Sequence, residues 1–253
     1  MEHTYRELAP PVGLAPYLRC FWSETTADHQ QPGTMCVLPD GCIDVVWLAG
    51  HQPMVVGSAT RAMFPLLPSG TTIVGARFEP GMTAGLLGAP ADRVANLDVP
   101  ISDLWGRDAA PVRQCFDMSG TATDGISALS ELLVGRLCIV GEAGDPLVTM
   151  LARLLVAEPH TPLAILVDRA GLGERQVRRR FEAAIGYGPK TFQRIMRFHR
   201  WLDLAEASPS DERSLVDLAA EAGYADQAHM TREVTRLAGL PPVAFLAARA
   251  TPP

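Results

Sequence analysis

The chain has 253 residues, of which 47% are hydrophobic and 20% charged, and its formal net charge is −6. This composition excludes a disordered chain, and since no run of about 18 apolar residues occurs, we predict no membrane span. The first residues, Met1–Glu7, lack the basic-then-apolar pattern of a signal peptide, so we expect a cytoplasmic protein. The five cysteines contain no CxxC pair and are expected to be free thiols there.

The charge is unevenly distributed along the chain. Residues 1–145 contain 8 Arg and 16 acidic residues and sum to −8, whereas residues 146–253 contain 14 basic and 12 acidic residues and sum to +2. Within Arg175–Arg200, eight basic residues accompany one acid, Glu182. Such asymmetry is typical of a DNA-binding module joined to an acidic domain. The alternative interpretation is a solvated helix face.

The N-terminal part contains short apolar runs broken by Gly and Pro. Three of them, Tyr17–Trp22, Cys42–Leu48 and Thr71–Phe78, are rich in β-branched and aromatic residues and predict strands. Pro39-Asp40-Gly41 predicts a turn, because Gly can take a positive φ. We therefore expect a small antiparallel sheet or barrel.

Two helices are predicted to follow, one from Ser102 (as its cap) to about Met118 and one over Asp124–Val140. The second carries an apolar stripe that packs on its own core or, alternatively, forms a dimer face. The stripe consists of Ile126, Leu129, Leu133 and Leu137. Gly141–Pro146 combines a helix exit with an Asp cap and an N-terminal Pro, so we place the domain boundary there, between residues 1–140 and 146–253.

The C-terminal part is predicted to be all-α, which makes the whole chain α+β. Gly171 and Gly223 each end a short helix and precede a second, amphipathic one, so the helix-turn-helix pattern occurs twice. The predicted helices are Leu147–Ala157, Leu163–Arg169, Glu174–Ile185, Pro189–Glu206, Leu215–Glu221, Asp226–Leu237 and one from Pro242.

The second helix of each unit has an apolar face and a polar face, as a helix that enters the major groove requires. Arg can bond bidentately to guanine and Gln to adenine. The predicted base-reading residues are Arg175, Arg178, Arg179, Gln227, Thr231 and Arg232. On the helix between the units, Lys190, Arg194 and Arg197 are predicted to bind phosphates.

Residues 146–253 resemble the DNA-binding domain of the AraC/XylS family of transcription regulators. The resemblance lies in Gly171–Phe181, in Gly186-Tyr187-Gly188-Pro189 before a long helix, in Ala222–Asp226 and in Gly239–Phe245. It implies two recognition helices on a linker helix that enter successive major grooves, with the family's base-contacting positions on the six residues above. It also implies double-stranded DNA as partner, with a small-molecule effector and RNA polymerase as further candidates. A homodimer is expected from the apolar stripe of Ile126–Leu137.

The N-terminal part resembles the sensor domain of a subgroup of these regulators, on Leu38–Asp44 and Val74–Gly81. The resemblance implies a β-rich ligand-binding or dimerising domain. The candidate effector or sensing residues are Cys36, Cys42, Asp44, Trp47 and Arg77. Asp44 and Arg77 can instead form a structural pair, and the cysteines can be buried hydrophobic residues.

No catalytic function is predicted. The sequence has no Gly-x-Gly-x-x-Gly, Walker, Gly-x-Ser-x-Gly or His-Glu-x-x-His motif, and its six His residues show no metal-ligand spacing. We therefore expect no enzyme, cofactor or metal. The alternative is a cysteine-based sensor or a protein of the DNA alkyl-repair type, suggested by Cys36 and Cys42.

Overall fold

The computed structural model describes residues 4–26, 33–34, 36–68, 70–109, 121–141, 143–207 and 213–250. Within these ranges an N-terminal antiparallel sheet with flanking helices precedes an all-helical C-terminal part, so the α+β prediction is confirmed. We call residues 4–143 the sheet region and residues 145–250 the helical region. None of the helices in the described ranges has the length and apolar character needed to cross a membrane.

The sheet region has one main sheet with the antiparallel order β1-β2-β7-β4-β5-β8, and β3 and β6 pair separately. Its order is linear in the described residues, with β1 and β8 at the edges, which favours the open sheet over the barrel. The strands are β1 Thr4–Leu8, β2 Leu18–Thr25, β3 Gly33–Thr34, β4 Asp44–Leu48, β5 Met54–Val56, β6 Leu66–Leu67, β7 Thr72–Phe78 and β8 Asp98–Pro100.

The three strands predicted from the sequence are adjacent in this sheet, as β2, β7 and β4. They are apolar because both of their faces are covered. One face buries Trp47 and Val74 in the main core of the sheet region, and the other buries Cys20 and Trp22 in a smaller cluster. Alternation along a strand therefore places neighbouring residues in two different environments.

The helices of the sheet region are α1 Ala84–Leu87, α2 Ile101–Trp105 and α3 Ala122–Val140, with 3₁₀ turns at Ala91–Arg93 and Gly106–Ala109. The prediction of a continuous helix from Ser102 is wrong. The helix begins after Pro100, and Gly106 takes φ 53° and ψ −119°, which no α-helix accommodates. Residues 110–120, which include the predicted end at Met118, lie outside the described residues.

The apolar stripe of α3 belongs to the core. Leu129 and Leu133 are fully buried, and Ile126 and Leu137 pack against the same cluster. Gly125 brings the helix close to the sheet, since a Cβ there would lie 2.7 Å from the Trp47 ring. The dimer-face interpretation of this stripe is therefore wrong, because its side chains are already covered by the protein's own sheet.

The helical region follows the predicted pattern closely. Three helices have the predicted bounds, two differ by one residue at one end, one is shifted by one residue at both ends, and the last begins at the predicted Pro242. These differences are the ordinary uncertainty of helix termini. They are α4 Pro146–Ala157, α5 Leu163–Ala170, α6 Glu174–Ile185, α7 Pro189–Glu206, α8 Leu215–Glu221, α9 Gln227–Ala238 and α10 Pro242–Ala250. All seven contribute to one apolar core centred on α7, where Phe192, Ile195, Phe198 and Trp201 are fully buried.

Candidate nucleic-acid interface

The first helix-turn-helix unit is formed by α5 and α6. Gly171 ends α5 with φ 61°, a left-handed conformation that glycine adopts without strain. Gly173 precedes α6 and has no side chain with which to cap it. Instead, the Gln176 side chain accepts a hydrogen bond from the Gly173 N–H at 3.0 Å. The local sequence thus starts the helix without the usual Ser or Thr cap.

The two faces of α6 differ as the sequence predicts. Val177 and Phe181 are almost fully buried in the core of the helical region, whereas Arg175, Arg178 and Arg179 are exposed. The Arg178 Nε lies 2.7 Å from a Glu182 carboxylate oxygen one turn later, and the Arg178 side chain is 71% exposed. The helix therefore presents three guanidinium groups to solvent, one of them held by an intrahelical ion pair.

The second unit, α8 and α9, repeats this arrangement. The Asp226 side chain caps α9 by accepting a hydrogen bond from the His229 N–H at 2.6 Å. Met230 and Val234 are fully buried, while Gln227 and Arg232 are exposed and Thr231 is half-buried. The structure thus places all six predicted base-reading residues on the outward faces of α6 and α9.

The predicted phosphate-binding residues of α7 have different environments. Lys190 is exposed at the start of the helix. Arg194 forms a two-point ion pair with Glu233 of α9, with 2.9 Å between Nη2 and Oε1. Arg197 is half-buried, and its guanidinium stacks 5.6 Å from the centre of the Tyr224 ring. Arg194 and Arg197 therefore hold helices together, and Lys190 alone of the three has the exposure that a phosphate ligand needs.

A cleft of about 510 Å³ opens beside the start of α7. Arg178 and Lys190 line it together with Glu182 of α6 and Asp92 of the sheet region. An acidic side chain from the sheet region thus borders the same space as two of the predicted DNA-binding cations.

The sheet region packs directly on the helical region. The Pro39 carbonyl oxygen accepts a hydrogen bond from His199 Nε2 at 2.7 Å. Gly41, at φ 83°, lies so close to α7 that a Cβ would come within 2.5 Å of the Phe192 ring. Phe192 therefore packs on the predicted Pro39-Asp40-Gly41 turn.

Asp145 ties the junction of the two regions to the first recognition helix. It caps α4 as predicted and also binds the Arg180 guanidinium through two hydrogen bonds of 2.7 Å. Burial by itself would raise the Asp145 pKa, but the hydrogen bonds from Arg180 and from the Val148 and Leu147 N–H groups outweigh it and lower the pKa. Sequence reasoning missed this contact because residues 35 positions apart carry no short-range signal.

Asp44 is the centre of a buried polar network in the sheet region. Its carboxylate accepts hydrogen bonds from Trp22 Nε1 at 2.9 Å and from Arg77 Nη2 at 3.0 Å. Arg77 also lies 3.4 Å from an Asp40 oxygen. Burial raises the pKa of Asp44 to about 6, against the attraction of Arg77. The structural-pair interpretation of Asp44 and Arg77 is thus what the geometry supports, and Asp40 adds the turn to the same network.

Of the other predicted effector residues, Cys42 joins this network through its N–H, which donates to the Asp40 carboxylate at 2.9 Å, whereas Trp47 lies apart from it. Trp47 is buried on the opposite face of the sheet, where Nε1 donates to the His51 carbonyl oxygen at 2.9 Å. Residues 44 and 47 are an odd number of positions apart in one strand, so their side chains point to opposite faces of the sheet, and their spacing in the sequence predicts this separation. Trp22, on the same face as Cys20, is the tryptophan that touches Asp44.

Three of the described cysteines, Cys20, Cys36 and Cys42, have a raised pKa and therefore less thiolate than a free cysteine. Burial raises the pKa of Cys20 to about 11 and that of Cys42 well above its ordinary value. Cys36 and Cys138 are exposed. Partial burial of the Cys36 side chain raises the pKa of Cys36 as well. Cys115 lies outside the described residues. Among the residues that are described, no three His, Cys, Asp or Glu side chains are placed to hold a metal ion.

Comparison with known families assigns both parts of the chain. Residues 166–248 match the family described as "Helix-turn-helix domain", and residues 6–100 match "Domain of unknown function (DUF6597)". The C-terminal part is an AraC-type helix-turn-helix domain. This domain contains both recognition helices described above and supports DNA-binding transcription regulation as the function of the chain. Comparison with curated proteins gives no match.

Several solved structures are similar to the chain. A probable AraC family transcriptional regulator from Rhodopseudomonas palustris is 21% identical, over 43% of this chain and 100% of its own, with a TM-score of 0.37. The C-terminal domain of AraT, a response regulator from Geobacillus stearothermophilus, is 15% identical over 42% and 87%, with a TM-score of 0.37. ToxT from Vibrio cholerae with bound unsaturated fatty acid is 9% identical over 89% and 94%, with a TM-score of 0.46.

Proposed function

We propose that this protein is a sequence-specific transcription regulator that reads two successive major grooves of DNA with α6 and α9. The main support for the proposal is that both helices expose a polar face to solvent while their apolar faces are buried in one core. Exposed Arg and Gln side chains on such faces are the groups that recognise guanine and adenine edges.

The dimensions of the linker helix support this reading mode. Each recognition helix packs against α7, whose 18 residues span about 27 Å at the usual rise of an α-helix. Successive major grooves on one face of DNA are about 34 Å apart. A linker of this length is compatible with two recognition helices in adjacent grooves.

The electrostatics of the two regions also support the proposal. The exposed cations of α6 and Lys190 belong to residues 146–253, which carry a net charge of +2, whereas the first 145 residues carry a net charge of −8. The acidic part would be repelled by DNA phosphates, which orients the basic face toward the duplex. Lys190 supplies a phosphate contact that fixes the position of α6 without reading bases.

We further propose that the sheet region senses a signal and transmits it to α7. The support is the chain of contacts from Trp22 and Asp44 through Arg77 to Asp40, whose turn touches the linker helix at His199 and Phe192. A small molecule that displaced Arg77 from Asp40 would release the turn that packs on α7. An anionic group suits this role, because it would replace a carboxylate as the partner of Arg77.

Selection of bound sequences from a random double-stranded DNA pool tests the reading mode. We expect enrichment of two boxes whose centres are about one helical turn apart, with affinity that falls as salt rises. Only sequence-independent, salt-sensitive binding would contradict the proposal that both helices read bases. Repeating the selection with a library of small carboxylates present tests the sensing function, which predicts a change in affinity for the selected DNA.

A further inference from the structure

One segment of the sheet region contacts the C-terminal ends of both recognition helices. We call Gly57–Met63 the bridging segment. The Ser58 hydroxyl donates a hydrogen bond to the carbonyl oxygen of Ile185, the last residue of α6. The Ala62 N–H donates to the carbonyl oxygen of Leu237, at the end of α9, over 2.6 Å. Both acceptors belong to the last helical turn, where carbonyl groups lack a partner within the helix.

The bridging segment is itself firmly held by the sheet region. The Asn96 side-chain oxygen accepts hydrogen bonds from the Thr60 N–H at 2.8 Å and from the Thr60 hydroxyl at 2.9 Å. Gly57 is pressed against the Val94 carbonyl group so closely that a Cβ would overlap it. At its other end, Met63 exchanges two backbone hydrogen bonds of 2.9 Å with Val37. The two helix contacts are therefore made from one anchored support.

The contacts are tight at α6 and ordinary at α9. Gly186, which ends α6 at φ 106°, has no room for a Cβ, because that atom would lie 2.3 Å from the Ser58 hydroxyl oxygen and 3.2 Å from the Ala91 carbonyl oxygen. The Thr83 hydroxyl adds a hydrogen bond of 3.3 Å to the carbonyl oxygen of Ala184. At α9, a Cβ on Gly239 would meet the Phe64 ring at 3.9 Å, a normal packing distance.

We propose that the bridging segment sets the spacing and relative twist of the two recognition helices, and thereby determines which separation of two DNA boxes the protein accepts. This rests on the proposed function of α6 and α9 as readers. Each helix already packs on α7 and on the first helix of its own unit. Attachment of both C-terminal ends to a common support in the sheet region adds a further restraint on the angle between the two helices. Ser58 is thus a positioning residue for DNA recognition, in a region with no base-reading role.

The spacing of the boxes is a sensitive probe of this arrangement. One additional base pair moves the second box by about 3.4 Å and rotates it by about 34° around the DNA axis. A pair of helices with fixed separation should tolerate this poorly, whereas helices that pivot independently should adapt. Loss of spacing discrimination is a readout that a general loss of stability does not produce.

The experiment uses the full chain and the two-box DNA selected by the wild type, with zero, one or two base pairs inserted or deleted between the boxes. S58A removes the donor to Ile185, and N96G removes both acceptor contacts to Thr60 while glycine retains the left-handed backbone, φ 58°, at this position. S102A is the matched control, because the Ser102 hydroxyl bonds within the sheet region, to Gln52 and Asp103. N96G touches neither recognition helix, so it remains informative if S58A is unstable.

In S58A and in N96G we expect the discrimination between correct and altered spacing to fall by about 2–10-fold, the range that loss of a net hydrogen bond supports. Affinity for DNA with a single box should stay at the wild-type level, and S102A should keep the wild-type spacing profile. Unchanged spacing profiles in both variants would overturn the proposal. A wild type that selects no two-box DNA would overturn the proposed function and this proposal together, and it would be recognised before any variant is made.

Discussion

His199 of α7 donates a hydrogen bond from Nε2 to the backbone carbonyl oxygen of Pro39, over 2.7 Å and across 160 residues of sequence. The imidazole also packs edge-on against Phe198, with 5.5 Å between ring centres. This side chain therefore links the core of the helix-turn-helix domain to the turn that carries Asp40.

H199A should destabilise the protein without altering its DNA sequence preference. The variant leaves the Pro39 carbonyl oxygen without its donor, and we expect the free energy of unfolding to fall by about 0.5–1.5 kcal/mol. Urea denaturation measures this, with H51A as control because the His51 side chain is exposed. A stability equal to that of H51A would show that the contact with Pro39 contributes nothing.

R179A should weaken recognition at one base position. Arg179 is exposed, and the described residues include no acidic group within ion-pair distance of it, so its guanidinium is available for a guanine edge. We expect a loss of about 1–3 kcal/mol of binding free energy, confined to that position of the selected DNA. R153A is the control, because Arg153 is an exposed arginine outside α6 that pairs with Glu79. An unchanged selected motif in R179A would rule out base reading by this residue.

K190A should change the salt dependence of DNA binding, whereas R194A should change the stability of the protein. Lys190 is exposed, so its removal should lower the slope of log affinity against log salt by about 1, with unfolding little changed. Arg194 is paired with Glu233, so R194A should leave that slope unchanged. It should destabilise the domain by about 1–3 kcal/mol, because the half-buried Glu233 carboxylate loses its partner. Fluorescence titrations at four salt concentrations, together with urea denaturation, separate the two. An R194A slope reduced as far as that of K190A would restore Arg194 as a phosphate ligand.

D145N should reduce stability by about 0.5–1 kcal/mol, a modest value because Arg180 is 41% exposed and solvent screens the pair. Asparagine still caps α4, so the variant isolates the ion pair from the cap. The Asp145 pKa is lowered in the folded protein, so its contribution is present above about pH 4, the unfolded value, and is lost as the pH falls through the folded value. Denaturation of wild type and D145N from pH 3 to 7 should show the difference shrink toward acid. A difference that grows toward acid would contradict this assignment.

Thiol labelling followed by peptide mapping should separate the cysteines by burial. In the native protein at pH 7, Cys36 and Cys138 should react with iodoacetamide, whereas Cys20 and Cys42 should react only in denaturant. The denatured sample is the control for the intrinsic reactivity of each site. Rapid native labelling of Cys42 would favour the alternative of a cysteine-based sensor.

The helical region could be predicted almost completely from its sequence, because its signals are short-range. The bounds of α6 and α7 follow from a 3.6-residue apolar period, from Gly186 at an exit and from Pro189 at an entry. The outward position of Arg175 and Gln227 follows from the same period. Local geometry thus places these candidate base-reading side chains on the surface before any tertiary contact is known.

The partners of individual charged and apolar side chains were decided by the tertiary structure. Arg194 and Lys190 look equivalent in the sequence, yet one faces Glu233 of another helix and the other faces solvent. The Leu129 and Leu133 stripe fits a dimer face or a core equally well until the sheet is found beneath it. A periodic pattern states which side of a helix is apolar, but not what covers that side.

The sequence by itself therefore determined the helices α6 and α9, their outward residues and the β-rich nature of the first half, since these depend on residues a few positions apart. Only the tertiary structure decided that Ser58 and Ala62 reach the ends of both reading helices, and that the Asp40 turn rests on α7. Those contacts join residues more than 100 positions apart. Their geometry is set by how two packed regions meet, for which no local pattern in the chain provides a signal.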